Sequence, residues 1–449
     1  MNKKVSYLFF FLFSILLTSC SFDKVTGIWS GSEKEKQRIS ELEREQKQLL
    51  DSVQIYSSKT IYSKEINPTK SAILTTAKSK SSWKMSGSNL QNFKGNIYLP
   101  SIDNNFLRKK IGKNKFLLSK AMPSPLYFKG NIIFADDRGT IFNINKKGKV
   151  NWKRNIYLKV YKKIYKNISY SIYKDKIYVV DNIGFIYAIS LDTGELVWIK
   201  NHGIPLRSKL KVFKNKLFVI NQDNRLFCLD TNDGSKIWDI RTISSFIKSQ
   251  NLLSLVITKE EDIVMINSSG DLLKLQSKSG KVYWSLNVTG SMFDDTDFFK
   301  SSDIVTKDED IILSTGSSTF SFNLKNGYLN WEQEVGSLNT PIIDRNNVFL
   351  VTNNGYFVNL DRLSGKIIWS VNILKIIKEK KRNTQITGFA LGSGKIYAVT
   401  MNGYLIICSA SSGQIENVKK IGDTIISAPI IASDSLYILT EESRILGFN

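Results

Sequence analysis

The sequence predicts an all-β protein: an eight-bladed β-propeller of four-stranded antiparallel blades, with the ring closed by an N-terminal strand. Three observations predict this fold. A unit of three short strands recurs along the chain, most copies place glycine four residues before tryptophan, and the last copy stops after two strands. Short strands repeated every ~40–50 residues are typical of propeller blades, because one such unit cannot bury its own faces.

The clearest copy is KIYVVDNIGFIYAISLDTGELVW, residues 176–198. Its β-branched and aromatic runs alternate with turns rich in Asp, Asn and Gly, which tolerate unusual φ. The tryptophans of successive copies lie 38 to 47 residues apart, at Trp152, Trp198, Trp238, Trp284, Trp331 and Trp369. A seventh copy, Lys395–Asn417, has Asn417 at the tryptophan position. We expect each glycine to close a hairpin and each tryptophan to pack between blades.

The eighth copy, Ser435–Asn449, lacks an outer strand. An open strand edge invites aggregation, so the last blade of a propeller must be completed. Ser82–Met85 is the tryptophan-bearing extended segment ahead of the first copy. We therefore expect Trp83 to lie in the last blade, and the propeller to span residues 83–449.

Residues 1–20 have the features of a bacterial secretion signal. Lys3 and Lys4 precede an apolar run, Tyr7–Leu17, that is too short to cross a bilayer. The run ends in Leu-Thr-Ser-Cys, which resembles the lipobox of bacterial lipoproteins. We expect Cys20 to be the lipid-modified N-terminus of the mature chain, and Ser21 is compatible with sorting to the outer membrane.

Residues 21–82 are polar and lack the repeat. Ser32–Leu50 has a thin apolar stripe at helical spacing. A partly ordered tether, possibly part helical, between the lipid and the propeller explains this composition better than a coiled-coil interface does.

The formal charge of +23 raises the question of an acidic partner. A basic chain can bind nucleic acid, an anionic membrane or an acidic protein. The secretion signal argues against nucleic acid. Lysines are scattered over the turns of nearly every repeat, so two explanations stay open: compositional bias, which the sequence favours, and a dedicated basic surface.

We predict no catalytic residue, metal site or cofactor. His202, the one histidine, lies in a connection between repeats with no ligand or carboxylate at metal-binding spacing. Cys228 and Cys408 occupy similar strand positions four repeats apart, too distant for a disulfide across the ring. We expect both to be buried thiols.

The repeated Leu-Asp, Gly and Trp pattern around Trp198, Trp238 and Trp369 resembles that of the pyrroloquinoline-quinone-type propellers. With the lipobox, the tether, the Trp83–Gly87 segment and eight repeats, the chain resembles the BamB family, its alphaproteobacterial members above all. The resemblance implies a non-catalytic lipoprotein scaffold of the outer-membrane β-barrel assembly machinery. Such a protein is anchored to the outer membrane, faces the periplasm and binds BamA, the barrel subunit. We expect the propeller itself to be a monomer.

The resemblance also implies where BamA binds. In the family an aliphatic–basic loop and an acidic loop of the next blade form the contact, and the corresponding residues here are Phe246, Ile247 and Lys248, and Asp295 and Asp297 within Asp294–Asp297. Loops of neighbouring blades lie side by side, so the two loops are expected to form one patch. Ordinary solvated loops remain the alternative, and Ile204–Arg207 is a rival aliphatic–basic loop.

Two other functions stay open. A quinone-dependent dehydrogenase would share the repeat, but calcium-bound quinone needs several converging oxygen ligands, and no such set stands out in the inner strands. A periplasmic propeller that binds another envelope partner is the second alternative.

Overall fold

A computed structural model describes residues 37–41, 44, 62–68, 70–114, 123–242, 252–288, 299–377, 384–422 and 424–449. The chain divides into two compact units. The larger unit is Tyr56–Arg154 with Lys166–Asn449, and the smaller is Met1–Ile55 with Asn155–Tyr165. The strands belong to the larger unit, apart from the last residue of one of them.

Eight separate four-stranded antiparallel sheets confirm the predicted propeller. Blades 1 to 4 take their strands in chain order: β2 (Leu126–Phe128), β3 (Asn131–Ala135), β4 (Thr140–Asn145), β5 (Val150–Asn155); β6 (Ile168–Tyr173), β7 (Lys176–Asp181), β8 (Phe185–Ser190), β9 (Leu196–Asn201); β10 (Lys211–Phe213), β11 (Lys216–Ile220), β12 (Arg225–Asp230), β13 (Lys236–Arg241); β14 (Leu255–Ile257), β15 (Asp262–Ile266), β16 (Asp271–Gln276), β17 (Val282–Asn287).

Blades 5 to 7 follow the same order: β18 (Val305–Lys307), β19 (Asp310–Ser314), β20 (Thr319–Asn323), β21 (Leu329–Gln333); β22 (Ile342–Asp344), β23 (Asn347–Val351), β24 (Tyr356–Asp361), β25 (Ile367–Asn372); β26 (Ile386–Gly392), β27 (Lys395–Thr400), β28 (Tyr404–Ser409), β29 (Ile415–Lys420). A short 3-10 helix, Ile373–Ile376, follows β25. Blade 8 combines β30 (Ile430–Ala432), β31 (Ser435–Leu439) and β32 (Arg444–Phe448) with β1 (Asn105–Lys110) from the other end of the chain.

The ring is closed by an N-terminal strand, as predicted, but the segment that closes it is β1 and not Ser82–Met85. β1 pairs with β32 from Asn105–Phe448 to Lys110–Arg444. Leu107 of β1 is buried and faces Gly148 of blade 1, as the tryptophans of other blades face the next turn glycine. Trp83 instead bridges to Tyr127 in the inner strand of blade 1. The prediction assumed that the closing strand would carry a tryptophan. In the structure Leu107 takes the place of that tryptophan, and the charged residues of β1 (NFLRKK) suit an outer strand.

The predicted roles of glycine and tryptophan are confirmed in the other blades. The turn glycines have positive φ, and each faces the tryptophan ring of the preceding blade, as Gly194 faces Trp152. Indole Nε1 groups donate to backbone carbonyls of the next blade, for example Trp152 to Leu191 at 3.0 Å and Trp331 to Arg362 at 2.7 Å. These hydrogen bonds tie the outer strands of blades 1 to 5 to the neighbouring blade, whereas Trp369 of blade 6 packs on Gly413 without one.

The hydrophobic core lies between the blades. Each cluster of buried side chains joins two neighbouring blades, as when Tyr178 and Val180 of blade 2 pack with Leu217 and Val219 of blade 3. Successive side chains of the middle strands are buried on both faces, so these strands are continuously apolar.

In the smaller unit, residues 37–41 and 44 are helical, within the segment predicted to form a helix. A 3-10 helix, Lys159–Lys163, closes with the Ile164 amide donating to the Tyr161 carbonyl. Among the described residues, none of the helices has the length and apolarity needed to cross a bilayer.

Candidate functional site

The propeller has two faces that differ in construction. Because the strands of a blade alternate in direction, one face carries the turns between first and second and between third and fourth strands. We call this the turn face. The opposite connection face carries the turns between second and third strands and the segments that join one blade to the next.

The chain's own N-terminal segment, residues 72–99, lies over the turn face. We call it the cap segment. It contacts the first strand, or the turn that follows it, in all eight blades: Trp83 with Tyr127, Lys84 with Ile172, Ser86 with Lys211, Leu90 with Ile257, Gln91 with Thr306, Thr75 with Asp344, Ile97 with Ser393 and Lys80 with Ser433. The cap segment is thus hydrogen-bonded to the inner strands or their turns around the ring.

A buried lysine fastens the cap segment to blade 3. Lys211 Nζ donates to the carbonyls of Ser86 and Asn89 and to Asn92 Oδ1, at 2.7 to 2.8 Å. Asn92 in turn donates to the Ile304 carbonyl of blade 5. Burial lowers the pKa of Lys211 to about 7. Its three acceptors come from one loop, so this side chain organises that loop.

Three blades meet at a carboxylate on the propeller axis. Asp303 of blade 5 accepts from Lys209 Nζ of blade 3 at 2.6 and 2.7 Å and from the Thr340 hydroxyl of blade 6 at 2.7 Å. Burial alone would raise the pKa of Asp303, but the Lys209 ammonium, the Thr340 hydrogen bond and the nearby Lys94 hold it below its usual value. Both carboxylate oxygens are therefore engaged by the protein itself.

On the connection face, the neighbouring blades 3 and 4 carry the stems of the two predicted contact loops. The first loop leaves blade 3 after Thr242 and the second leaves blade 4 after Val288. The Thr242 amide and hydroxyl bond the Asn224 carbonyl, while Val288 donates to Gly270. Hydrogen bonds of Asn267, Ser268, Asp271 and Asn287 connect these turns to one another. Two neighbouring stems thus rest on one polar network.

The predicted contact residues themselves, Phe246, Ile247, Lys248, Asp295 and Asp297, lie outside the described residues, as does the predicted lipidation site, Cys20. Their roles stay predictions. The rival loop Ile204–Arg207 is described, and Leu206 is buried in the core between blades 2 and 3. Its aliphatic side chain serves packing, which leaves Ile204 and Arg207 as the partly exposed side chains of that loop.

The other residues examined for chemistry have structural roles. His202 packs 5.3 Å from the Phe227 ring, and burial together with Lys200 and Lys236 lowers its pKa. Cys228 and Cys408 are free and buried, as predicted, and burial raises the pKa of each thiol to about 12. Within the described ranges no three His, Cys, Asp or Glu side chains are grouped to hold a metal ion.

The family model described as "Outer membrane protein assembly factor BamB" matches residues 137–371, which is more than half of the chain. The chain belongs to the BamB family. Proteins named outer membrane protein assembly factor BamB from Moranella endobia and Yersinia pestis are 21% and 20% identical to it, over 55% and 61% of this chain. The aligned regions cover 65% and 81% of those two relatives.

Solved structures show the same fold. BamB from Moraxella catarrhalis superposes with a TM-score of 0.61 at 14% identity, covering 76% of this chain and all of that one. A europium-containing methanol dehydrogenase superposes with a TM-score of 0.62 at 12% identity, covering 80% and 89%. At these sequence identities the superpositions establish the propeller fold alone, and function has to be argued from the site.

The sequence analysis of this BamB-family chain missed the cap segment. Residues 72–99 carry no periodic pattern, since their backbone bonds go one at a time to different blades. Trp83 was the one available signal, and its side chain is a buried part of the cap segment, with Lys80 and Lys94 near its ring.

Proposed function

We propose that this protein is a non-catalytic scaffold of the outer-membrane β-barrel assembly machinery that binds the BamA-like barrel subunit through its connection face. The observation that carries the proposal is the position of the two loop stems. In a BamB-family chain, both predicted contact loops start beside blade 4 on one hydrogen-bonded base.

The proposed contact has an apolar centre flanked by both charges. Phe246 and Ile247 would be buried against the partner, Lys248 would meet a carboxylate, and Asp295 and Asp297 would meet basic groups. Lysine in place of arginine offers a single point charge instead of a planar fork, so this contact is weaker and more salt-sensitive than a bidentate one.

The proposed location is the periplasmic side of the outer membrane, with lipid on Cys20 as the anchor. Cys20→Ala is expected to leave the melting temperature unchanged, because the strands of all eight described blades lie between Asn105 and Phe448. Membrane association in a strain without the partner should be lost, since a lipidated cysteine is the stable attachment. Membrane fractionation tests this, and a Cys20→Ala protein that still sediments with outer membrane would refute lipid anchoring.

The contacts made by the inner strands support the non-catalytic proposal. The cap segment is hydrogen-bonded to the inner strands or their turns around the ring, and the Asp303 carboxylate is bound by Lys209 and Thr340. Spectroscopy of the purified protein for a bound quinone tests the enzyme alternative directly.

The test of the scaffold proposal is affinity purification with the periplasmic domains of the BamA-like subunit. Ile247→Ala, Lys248→Glu, Asp295→Lys and Asp297→Lys are each expected to weaken binding at least tenfold, since a reversed charge adds repulsion to the lost attraction. Their melting temperatures should stay near the parent value, because loop substitutions cost less than about 0.5 kcal/mol.

Arg207→Glu is the matched control on the rival loop one blade earlier. Loss of binding in Arg207→Glu alone would move the contact to that blade. Full binding in all five variants would contradict the proposed patch.

A further inference from the structure

Seven lysines crowd the turn face around blade 1 without a carboxylate partner. We call them the blade-1 lysine patch: Lys80 and Lys84 of the cap segment, Lys129 of the β2–β3 turn, Lys146, Lys147 and Lys149 of the β4–β5 turn, and Lys174 of the β6–β7 turn. Among the described residues none of the seven forms a salt bridge. Lys129, Lys147, Lys149 and Lys174 are exposed, and the other three are half-buried.

The patch is contiguous, because its members share contacts. Lys84 and Lys129 both lie over the Phe128 ring, at 4.4 and 5.4 Å from its centre. Lys146 lies 5.5 Å from the Tyr127 ring and donates to Ser433, the residue whose amide donates to the Lys80 carbonyl. Lys174 lies over Tyr173 beside the strand that bonds Lys84. Aromatic rings thus hold several ammonium groups in place without neutralising them.

Lys278 and Lys281 of blade 4 form no salt bridge among the described residues, but three other lysines in the turns of blades 3 to 5 are neutralised. Lys214 pairs with Glu261, Lys259 with Asp308 and Lys325 with Glu309. Arg362 likewise binds Asp308 and Asp310. The positive charge on the turn face is therefore concentrated at blade 1, which a uniform compositional bias does not explain.

Few acidic side chains reach the patch. Asp175 pairs with Lys176, and Asp434 accepts from the Ser79 hydroxyl. Asp192 and Glu195 in the next turn of blade 2 mark its edge. A shallow depression lined by Ser79, Ser82, Lys80 and Lys84 lies within the patch. Hydroxyl and ammonium donors in one depression suit phosphate oxygens.

We infer that the blade-1 lysine patch docks the turn face on a membrane surface rich in anionic phospholipid headgroups. Protein interfaces are enriched in arginine and aromatic side chains and depleted in lysine, whereas clusters of lysine are typical of attraction to anionic lipid. The exposed part of this patch consists of ammonium groups from three turns, with its aromatic rings beneath them. The inference is independent of the proposed BamA contact, whose loop stems lie on the opposite face.

The experiment is vesicle flotation of the full chain carrying Cys20→Ala, so that no lipid is attached. Vesicles of phosphatidylcholine are compared with equimolar phosphatidylcholine and phosphatidylglycerol. The patch variant combines Lys129→Gln, Lys147→Gln and Lys149→Gln. The control combines Lys214→Gln, Lys259→Gln and Lys325→Gln on the same face. Each set removes three positive charges.

The parent should bind the anionic vesicles only, and more weakly as salt is added. The patch variant should lose at least tenfold in partition coefficient, with a ceiling on the order of 100-fold at low salt. The control should lose less than about threefold, because its lysines lie in the turns of blades 3 to 5, outside the patch. Thermal melts verify that both variants are folded.

Equal losses in the two variants would overturn the inference, because net charge and not the patch would then govern binding. Absence of parent binding to anionic vesicles would overturn it as well. Patch-dependent binding to polyglutamate with none to vesicles would identify an acidic protein as the partner and overturn the lipid assignment.

Discussion

The two faces of the propeller are made by the same strands but differ in what covers them. The turn face is bonded to the cap segment in every blade, and its turns are two to a few residues long, as at Lys214–Asn215. The connection face carries the stems of the two predicted contact loops, at Thr242 and Val288, and each stem is hydrogen-bonded to a turn of its own blade. The first face is bonded to the chain's own cap segment and carries the blade-1 lysine patch, and the second carries the stems of the loops that we propose bind the BamA-like subunit.

The largest expected loss of stability tests whether β1 closes the ring. Leu107→Asp buries an unpaired carboxylate beside Gly148 and should cost about 3–5 kcal/mol of unfolding free energy, since the closing strand belongs to the core of two blades. Denaturant unfolding followed by tryptophan fluorescence measures this cost. Lys109→Gln, exposed on the same strand, should stay within about 0.5 kcal/mol. Comparable stability of the two variants would refute closure by β1.

An intermediate loss of stability is expected when Lys211, which fastens the cap segment to blade 3, is replaced. Lys211→Met leaves the carbonyls of Ser86 and Asn89 and the Asn92 amide oxygen without this donor, at about 2 kcal/mol. Amide hydrogen exchange should accelerate over residues 83–93 and stay slow in the middle strands. Lys214→Met, which removes a surface ion pair of the same blade, should cost less than about 1 kcal/mol. Uniform acceleration over all blades would mean that the cap and the ring open together.

The smallest expected effect is a change in how the free energy of unfolding depends on pH. Burial, with Lys209 and Lys80 nearby and Asp303 opposing them, lowers the pKa of Lys94 to about 8 from 10.5. Between these values the unfolded chain binds more protons, so stability rises as pH increases from about 8 towards 10.5. Lys94→Met should raise stability at pH 7 by on the order of 1 kcal/mol and reduce that rise.

Lys94→Arg is the control for this titration, because arginine keeps its charge over the whole range. Lys94→Arg should reduce the rise of stability with pH, but it should not raise stability at pH 7. Chemical denaturation at several pH values measures both, and an unchanged slope in Lys94→Met would contradict the assignment.

Repetition made most of the fold predictable. Glycine and tryptophan recur because six blades share the same hairpin and the same contact with a neighbour, and the wider strand pattern located all eight blades. The closing strand and the cap occur once each, and residues such as Leu107 or Lys211 have no second copy to reveal their role. The concentration of charge at blade 1 was equally hidden, since lysines occur in most turns and only their partners distinguish them. The contact loops came from family resemblance, because nothing repeats in them.

The most direct test of the two-face account is hydrogen exchange of the chain with and without the periplasmic domains of the BamA-like subunit. Complex formation should protect the connection face, at residues 221–224 and 267–270 and in the segments that follow Thr242 and Val288. Exchange in the turns at residues 129–130 and 174–175 should not change. Protection of the turn face with an unchanged connection face would contradict the proposed division of labour.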